Sequence, residues 1–76
     1  MNNRKRDLLK ESKTLLGRAS SLISQVLEEE EDCLDNMPEN LQASEKYERM
    51  EDAIDKLESA IEHIDNAQED IDDASA

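Results

Sequence analysis

The chain has 76 residues, of which 21 are Asp or Glu and nine are Lys or Arg, so its formal net charge is −12. This length excludes a catalytic barrel or a two-domain enzyme, and a chain below ~70–80 residues rarely builds a core worth more than ~3–5 kcal/mol. One Tyr, one Gly and one Pro are too few for a β fold, which needs aromatic strands and frequent turn residues. The composition therefore predicts an all-α protein that needs a staple or a partner.

The first half of the chain carries a wide apolar stripe at helical spacing. The stripe covers about three positions in seven, which suits a helical bundle better than a two-stranded coil. Glu29 and Glu30 occupy the next stripe positions, so the stripe either ends there or drifts to Leu27 and Leu34. We predict a first helix over about residues 3–32 that frays near 31–34. The central stripe residues are Leu8, Leu9, Leu15, Leu16, Ala19, Leu22, Ile23 and Val26.

A turn is predicted over about residues 33–43, where the only interior proline, Pro38, lies. Proline disfavours the helical conformation in the residue before it. Two residues are candidates for the N-cap of the second helix. Asn36 with Glu39 resembles a capping box, whereas a cap at Ser44 would leave a longer loop that contains a short helical turn.

The second half shows a sharper heptad pattern, and we predict a second helix over about residues 44–74. Its seam alternates steps of three and four residues, interrupted at Gln68. A row of alanines recurs every seven residues on one flank of the seam. The seam residues are Tyr47, Met50, Ile54, Leu57, Ile61, Ile64 and Ile71, and the alanine row consists of Ala53, Ala60, Ala67 and Ala74.

Two helices joined by a short turn are expected to form an antiparallel hairpin. Folding about residues 37–38 would place Leu15 and Leu16 near Ala60 and Ile61, the basic residues 4–13 beside residues 64–73, and Lys46 and Arg49 opposite Glu29 and Glu30. One hairpin cannot cover stripes of this width. We therefore predict a homo-oligomer, a dimer or tetramer of hairpins, in which two hairpins would form a four-helix bundle. Its predicted core residues are Leu8, Leu15, Leu22, Ile54, Leu57, Ile61, Ile64 and Ile71.

Enzyme activity is not expected from this sequence. A catalytic nucleophile needs an adjacent, oriented base, and the only histidine, His63, falls on an exposed position of the predicted second helix. His63 and Cys33 also lack the ligand spacing of a metal site. We predict no metal and no cofactor. Gly17 falls on the exposed side of the first helix, as a tolerated surface glycine or a point of close partner approach.

Carboxylates line the other flank of the second helix. Their steps of three and four residues set the side chains ~4.5–6 Å apart along the axis, a row that resembles a strand of phosphates in charge. This row either engages a basic, nucleic-acid-binding protein as a DNA mimic or is a solvated face that keeps the bundle soluble. The acidic face consists of Glu51, Asp55, Glu58, Glu62, Asp65 and Glu69.

A basic cluster marks the start of the chain. In an oligomer, copies of this cluster could converge into a phosphate-binding pocket, which would make the protein a sponge for a signalling nucleotide. The alternative is that the cluster neutralises the acidic end of the second helix within the hairpin. The cluster consists of Arg4, Arg6, Lys10, Lys13 and Arg18.

The segment from Leu34 to Gln42, the basic start at residues 3–6 and the repeat that begins at Met50 resemble small acidic helical proteins of prophages and mobile elements in Gram-positive bacteria. The resemblance spans most of the chain. It implies a setting in which phage accessory proteins of this size inhibit host defence, either by binding a protein or by sequestering a signalling nucleotide. It transfers no residue role.

These observations predict a non-enzymatic, oligomeric interaction protein, an anti-defence inhibitor that presents its acidic face to a basic host protein. The alternatives are the nucleotide sponge and a purely structural bundle module. Direct DNA binding is not expected. No apolar run approaches the ~20 residues of a membrane span, and the basic start lacks a signal peptide's apolar stretch. We therefore expect the protein in the cytoplasm, that of the host cell if it is phage-encoded.

Overall fold

Two long helices and one short turn account for nearly the whole chain in the computed structural model, which describes residues 1–76. Helix α1 spans Asn3–Asp35, a single 3-10 turn spans Glu39–Leu41, and helix α2 spans Glu45–Ser75. The helices pack antiparallel in a hairpin of 59 × 15 × 13 Å. The predictions of an all-helical chain and of a two-helix hairpin are confirmed.

Side-chain caps fix the start of each helix. The side chain of Asn2 accepts a hydrogen bond from the backbone N–H of Lys5 at 2.8 Å. Ser44 Oγ accepts one from the backbone N–H of Tyr47 at 3.2 Å. Each cap satisfies an amide that has no partner within its helix. Of the two candidates for the second helix, Ser44 is therefore the cap, and a longer loop with a helical turn precedes it.

The end of α1 differs from the prediction that it frays at residues 31–34. The helix continues to Asp35, where the backbone N–H of Asn36 donates to the carbonyl of Asp32 at 3.1 Å. Leu27 and Leu34 are both half-buried, so the covered apolar side of α1 follows the 3.6-residue period past the run of glutamates. This matches the alternative in which the stripe drifts to these two leucines.

The interface between the helices is narrow. Ile54 is the only buried residue, with 8% of its surface exposed, and the other seam residues of α2 are half-buried. The residues of α1 that pack against this seam include Leu9, Leu16 and Ile23, all half-buried. The hairpin thus covers the seam of α2 and only one edge of the wider stripe on α1.

The register of the hairpin differs from folding about residues 37–38. That fold would set Lys13 opposite the residues just after Ile61, but Gln68 Nε2 donates to the Lys13 carbonyl at 3.1 Å and Lys13 Nζ contacts Asp72 Oδ1 at 2.5 Å. The reason is the loop. Residues 36–44 lie between the helices, so the midpoint of the turn falls beyond Pro38 and α2 is displaced along α1.

Candidate interaction surfaces

The acidic face lies along one open side of α2. All six of its side chains are exposed, and none takes part in either of the two ion pairs of the chain. The face runs from Glu51 to Glu69, and the 18 steps between these residues span about 27 Å at 1.5 Å per residue. A row of unpaired carboxylates of this length is free to meet cationic groups of another molecule.

The alanine row lies on the opposite flank of the α2 seam. Asp72 is seven residues after Asp65 and therefore continues the acidic side of α2. Because Asp72 contacts Lys13, the acidic side of α2 is the side on which Lys13 of α1 lies. Ala60 and Ala67 are half-buried, whereas Ala53 and Ala74 are exposed. The hairpin therefore has one side with carboxylates and one side with small apolar groups.

Part of the basic cluster forms a groove at the open end of the hairpin. Arg6 Nε donates to the carbonyl of Ser75 at 3.3 Å, and Lys13 pairs with Asp72. Lys10 is the one basic residue of the groove without such a contact. The groove is lined by Arg6, Leu9, Lys10, Lys13, Ile71, Asp72 and Ser75.

The rest of the basic cluster lies elsewhere. Arg4 and Arg18 are exposed and do not line the groove. Within one hairpin, α1 and α2 thus bring together three of the five predicted residues, and two of those three already contact acceptors of α2. Lys13 bridges to the acidic end of α2, which is the arrangement expected if the cluster neutralises that end.

The expected ion pairs near the turn do not form. Arg49 Nη2 contacts Glu45 Oε1 at 2.6 Å, one helical turn away in the same helix, instead of Glu29 or Glu30 of α1. The displaced register is the cause, because it carries the first turn of α2 beyond the run of glutamates. Both side chains of the pair are more than 70% exposed, so it contributes little to stability.

An outer stripe of large apolar residues faces away from α2. Lys13 points toward α2, and Leu15, two residues later, points about 160° away because each residue turns the helix by about 100°. Leu15 is 59% exposed and Leu22 is 55% exposed. Neither contributes to the core of a single hairpin. The outer stripe consists of the exposed residues Leu8, Leu15, Leu22 and Val26 and of the smaller, half-buried Ala19.

Gly17 and Gln68 form a contact that the sequence pattern concealed. Gly17 is half-buried, not exposed as expected, and Gln68 Nε2 lies 3.5 Å from where its Cβ would stand. The absence of a side chain at Gly17 lets the Gln68 amide reach the carbonyl of Lys13. Gln68, the polar residue that interrupts the α2 seam, therefore donates its hydrogen bond to a backbone carbonyl of α1. The sequence signal for this contact was that the only glycine and the only polar seam residue would lie opposite each other.

The remaining reactive side chains are isolated. His63 is exposed, Cys33 is an exposed free thiol, and no three His, Cys, Asp or Glu side chains are arranged to hold a metal ion. Neither helix combines the length and the apolar character needed to cross a bilayer. No protein-family model, curated protein or solved structure matches the chain.

Proposed function

We propose that the protein is a non-enzymatic interaction protein that engages a basic partner through its acidic face. The observation that supports this most is the row of six exposed carboxylates, none of which forms an ion pair within the hairpin. Like charges three and four residues apart weaken a helix slightly, so the row opposes the stability of α2. Binding of a partner would offset that cost. Solubility alone does not require the row, because the net charge of −12 exceeds the magnitude of about 2–8 that keeps a small domain soluble.

The charge density of the face fits a partner that binds nucleic acid. Six carboxylates over about 27 Å give one charge per roughly 5 Å, compared with one per ~3.4 Å for a single DNA strand. A basic protein that tracks one strand would thus meet a similar though sparser row. The resemblance to prophage proteins makes a nucleic-acid-binding host defence protein the partner we propose, in the cytoplasm of the host.

The experiment measures competition with DNA. A labelled short duplex is bound to a purified basic nucleoid protein, and displacement of the duplex is followed by fluorescence anisotropy as the hairpin is added. The test variant carries Glu58→Gln, Glu62→Gln, Asp65→Asn and Glu69→Gln. We expect it to lose at least tenfold in competing strength, because four of six contacts at ~0.5 kcal/mol each are removed.

A control variant with the same net charge separates a surface from bulk charge. It carries Glu28→Gln, Asp32→Asn, Asp35→Asn and Glu39→Gln, all exposed positions outside the acidic face. We expect this control to compete within about twofold of the original chain. Equal losses in both variants, with helicity unchanged by circular dichroism, would refute a binding role for the acidic face.

We further propose that hairpins self-associate, with a dimer as the unit that presents the acidic faces in a four-helix bundle. A single buried residue supports this, since a chain of this size otherwise lacks a core. Light scattering across a salt series tests it. A mass of 8.7 kDa at all concentrations and salts would show a monomer and would leave the exposed leucines as a surface for a different partner.

Nucleotide binding is the second candidate, supported by the groove that Arg6, Lys10 and Lys13 share. It ranks lower because two of these residues already contact Asp72 and Ser75. A thermal-shift screen with cyclic and linear nucleotides tests it, since a ligand at 100 times its Kd stabilises by ~2.7 kcal/mol. A melting temperature unchanged by millimolar nucleotide would exclude this function.

A further inference from the structure

We infer that a second copy of the chain occupies the outer stripe, with the two α1 helices antiparallel and Lys5 of each copy paired with Glu29 of the other. This inference deepens the self-association in the proposed function and names its surface, orientation and register. In the resulting dimer the α1 helices form the centre. The two α2 helices flank them, and their acidic faces stay open to solvent, so one dimer can engage two basic partners.

The exposed area matches what a dimer buries. A compact monomer of 8.7 kDa is expected to expose about 4,700 Å², whereas the hairpin exposes 5865 Å². The excess of about 1,100 Å² is comparable to the ~800 Å² that each partner buries in a specific interface. The most exposed large apolar side chains of the helices, Leu8, Leu15, Leu22 and Val26, all belong to α1. The dimer interface therefore belongs on that helix.

The charges along α1 select the antiparallel orientation. Residues 1–18 hold six basic and two acidic side chains, and residues 28–35 hold six acidic and no basic ones. Parallel pairing would set the acidic segment 28–35 of one copy beside the same segment of the other, and likewise the two basic N-terminal ends, which is repulsive. Antiparallel pairing sets the basic N-terminal end of each α1 helix against the acidic segment of the other.

The apolar positions then select the register. Pairing Leu15 with Ala19 of the other copy also pairs Leu8 with Val26 and Ser12 with Leu22, so every residue of the outer stripe has a partner. The same register pairs Lys5 with Glu29, which continue the stripe at its two ends and are both exposed and unpaired in the hairpin. Sliding one helix by seven residues either sets Val26 opposite Met1, which precedes the helix, or sets Glu29 opposite Ser12.

Charge reversal tests the register. The variants are Lys5→Glu, Glu29→Lys and the combination of both, and sedimentation equilibrium measures the dimer dissociation constant. Each single reversal replaces two attractive pairs by two repulsive ones, and we expect the dimer to weaken by about tenfold or more. The double variant is expected to return to within about twofold of the original. Single variants without effect, or a double variant in which the losses add, would overturn the register.

Cysteine cross-linking tests the orientation in a Cys33→Ser background. Leu15→Cys and Ala19→Cys chains are oxidised separately and as a mixture, and the products are identified by mass. Antiparallel pairing predicts a disulfide between the two different chains in the mixture and little cross-linking of either alone. Parallel pairing would cross-link each variant with itself and would overturn the proposal. Thr14→Cys, exposed on another side of α1, is the control that should stay monomeric.

The two proposals fail independently. Neutralising the acidic face on α2 should leave the dimer dissociation constant unchanged, because those carboxylates lie outside the α1 interface. The Lys5→Glu variant keeps all six carboxylates and should still displace DNA at concentrations where it is monomeric. Loss of competition with an intact dimer would count against the acidic face alone, and a monomer that competes would count against the dimer alone.

Discussion

The contact between Gly17 and Gln68 allows a sharp test of the packing between the helices. Glycine in a helix interior is less favourable than alanine by ~0.8–1.0 kcal/mol, and the Cβ of an alanine at Gly17 would meet its nearest neighbour at 3.5 Å, an ordinary van der Waals distance. Gly17→Ala should therefore stabilise the protein by about 1 kcal/mol per chain. For a chain of this size that corresponds to a rise of roughly 4–8 °C in Tm.

A larger side chain at the same position should have the opposite effect. Gly17→Leu must displace the Gln68 amide from the carbonyl of Lys13, so we expect a lower Tm than that of Gly17→Ala despite leucine's good helix propensity. Ser21→Ala, at an exposed position of α1, is the control for propensity alone. Tm is followed by circular dichroism at fixed chain concentration.

The Tm values of Gly17→Ala and Gly17→Leu together show whether Gly17 is half-buried or exposed. If Gly17 were exposed, both substitutions would raise Tm by similar amounts. If Gly17→Ala lowers Tm, the helices approach more closely than the contact with Gln68 indicates, and the reasoning from the space at this position is refuted. A Gln68→Ala background should relieve part of the penalty of Gly17→Leu, because the side chain that obstructs it is gone.

Three further substitutions probe the fold. Ile54→Ala removes the only buried side chain and should destabilise by about 2–3 kcal/mol, near the lower end for buried Ile→Ala changes, as measured by urea unfolding. Ser44→Ala removes the cap of α2 and should cost about 1 kcal/mol, with a loss of helicity near residue 45 visible by hydrogen exchange. Asp72→Asn breaks a pair whose side chains are 34% and 59% exposed, so the loss should stay below ~1 kcal/mol and shrink further in thermal melts at high salt.

The sequence was most informative where a single pattern decided the outcome. The heptad seam of α2 predicted which side of that helix faces α1, and Ile54 lies on it as the one buried residue. The sequence offers two N-caps near the turn, Asn36 and Ser44, and does not choose between them, whereas the structure has Ser44 as the cap. The choice depends on whether α1 continues through its run of glutamates, and in the fold Leu27 and Leu34 on either side of that run are half-buried.

The apolar stripe of α1 is wider than the surface that α2 covers. The sequence alone therefore could not predict which edge of the stripe packs against α2 and which edge stays exposed. Leu8 and Leu9 are neighbours in sequence, yet Leu9 is half-buried against α2 and Leu8 is 49% exposed. Which edge packs inside the hairpin follows from the register, and the register follows from the length of the loop at residues 36–44. The prediction that Gly17 is exposed is wrong for the same reason, because Gly17 lies on the edge of α1 that α2 covers.

Salt should separate self-association from binding of a basic partner, because only the second depends on attraction between opposite net charges. Two chains of charge −12 repel each other, so the apolar outer stripe must overcome a repulsion that salt screens within a Debye length of about 10 Å at 0.1 M. Salt also weakens the attraction between the oppositely charged ends of the two α1 helices, including the two Lys5–Glu29 pairs, but this attraction acts against a total charge of −24 in the dimer. Binding of a basic partner rests on attraction alone and must weaken. Between roughly 50 and 500 mM salt the Debye length falls from about 14 to about 4 Å. Over this range we expect the dimer dissociation constant to fall or stay constant while competition with DNA declines. A dimer that dissociates in high salt would mean that charge pairing, not the leucines of α1, holds the two copies together.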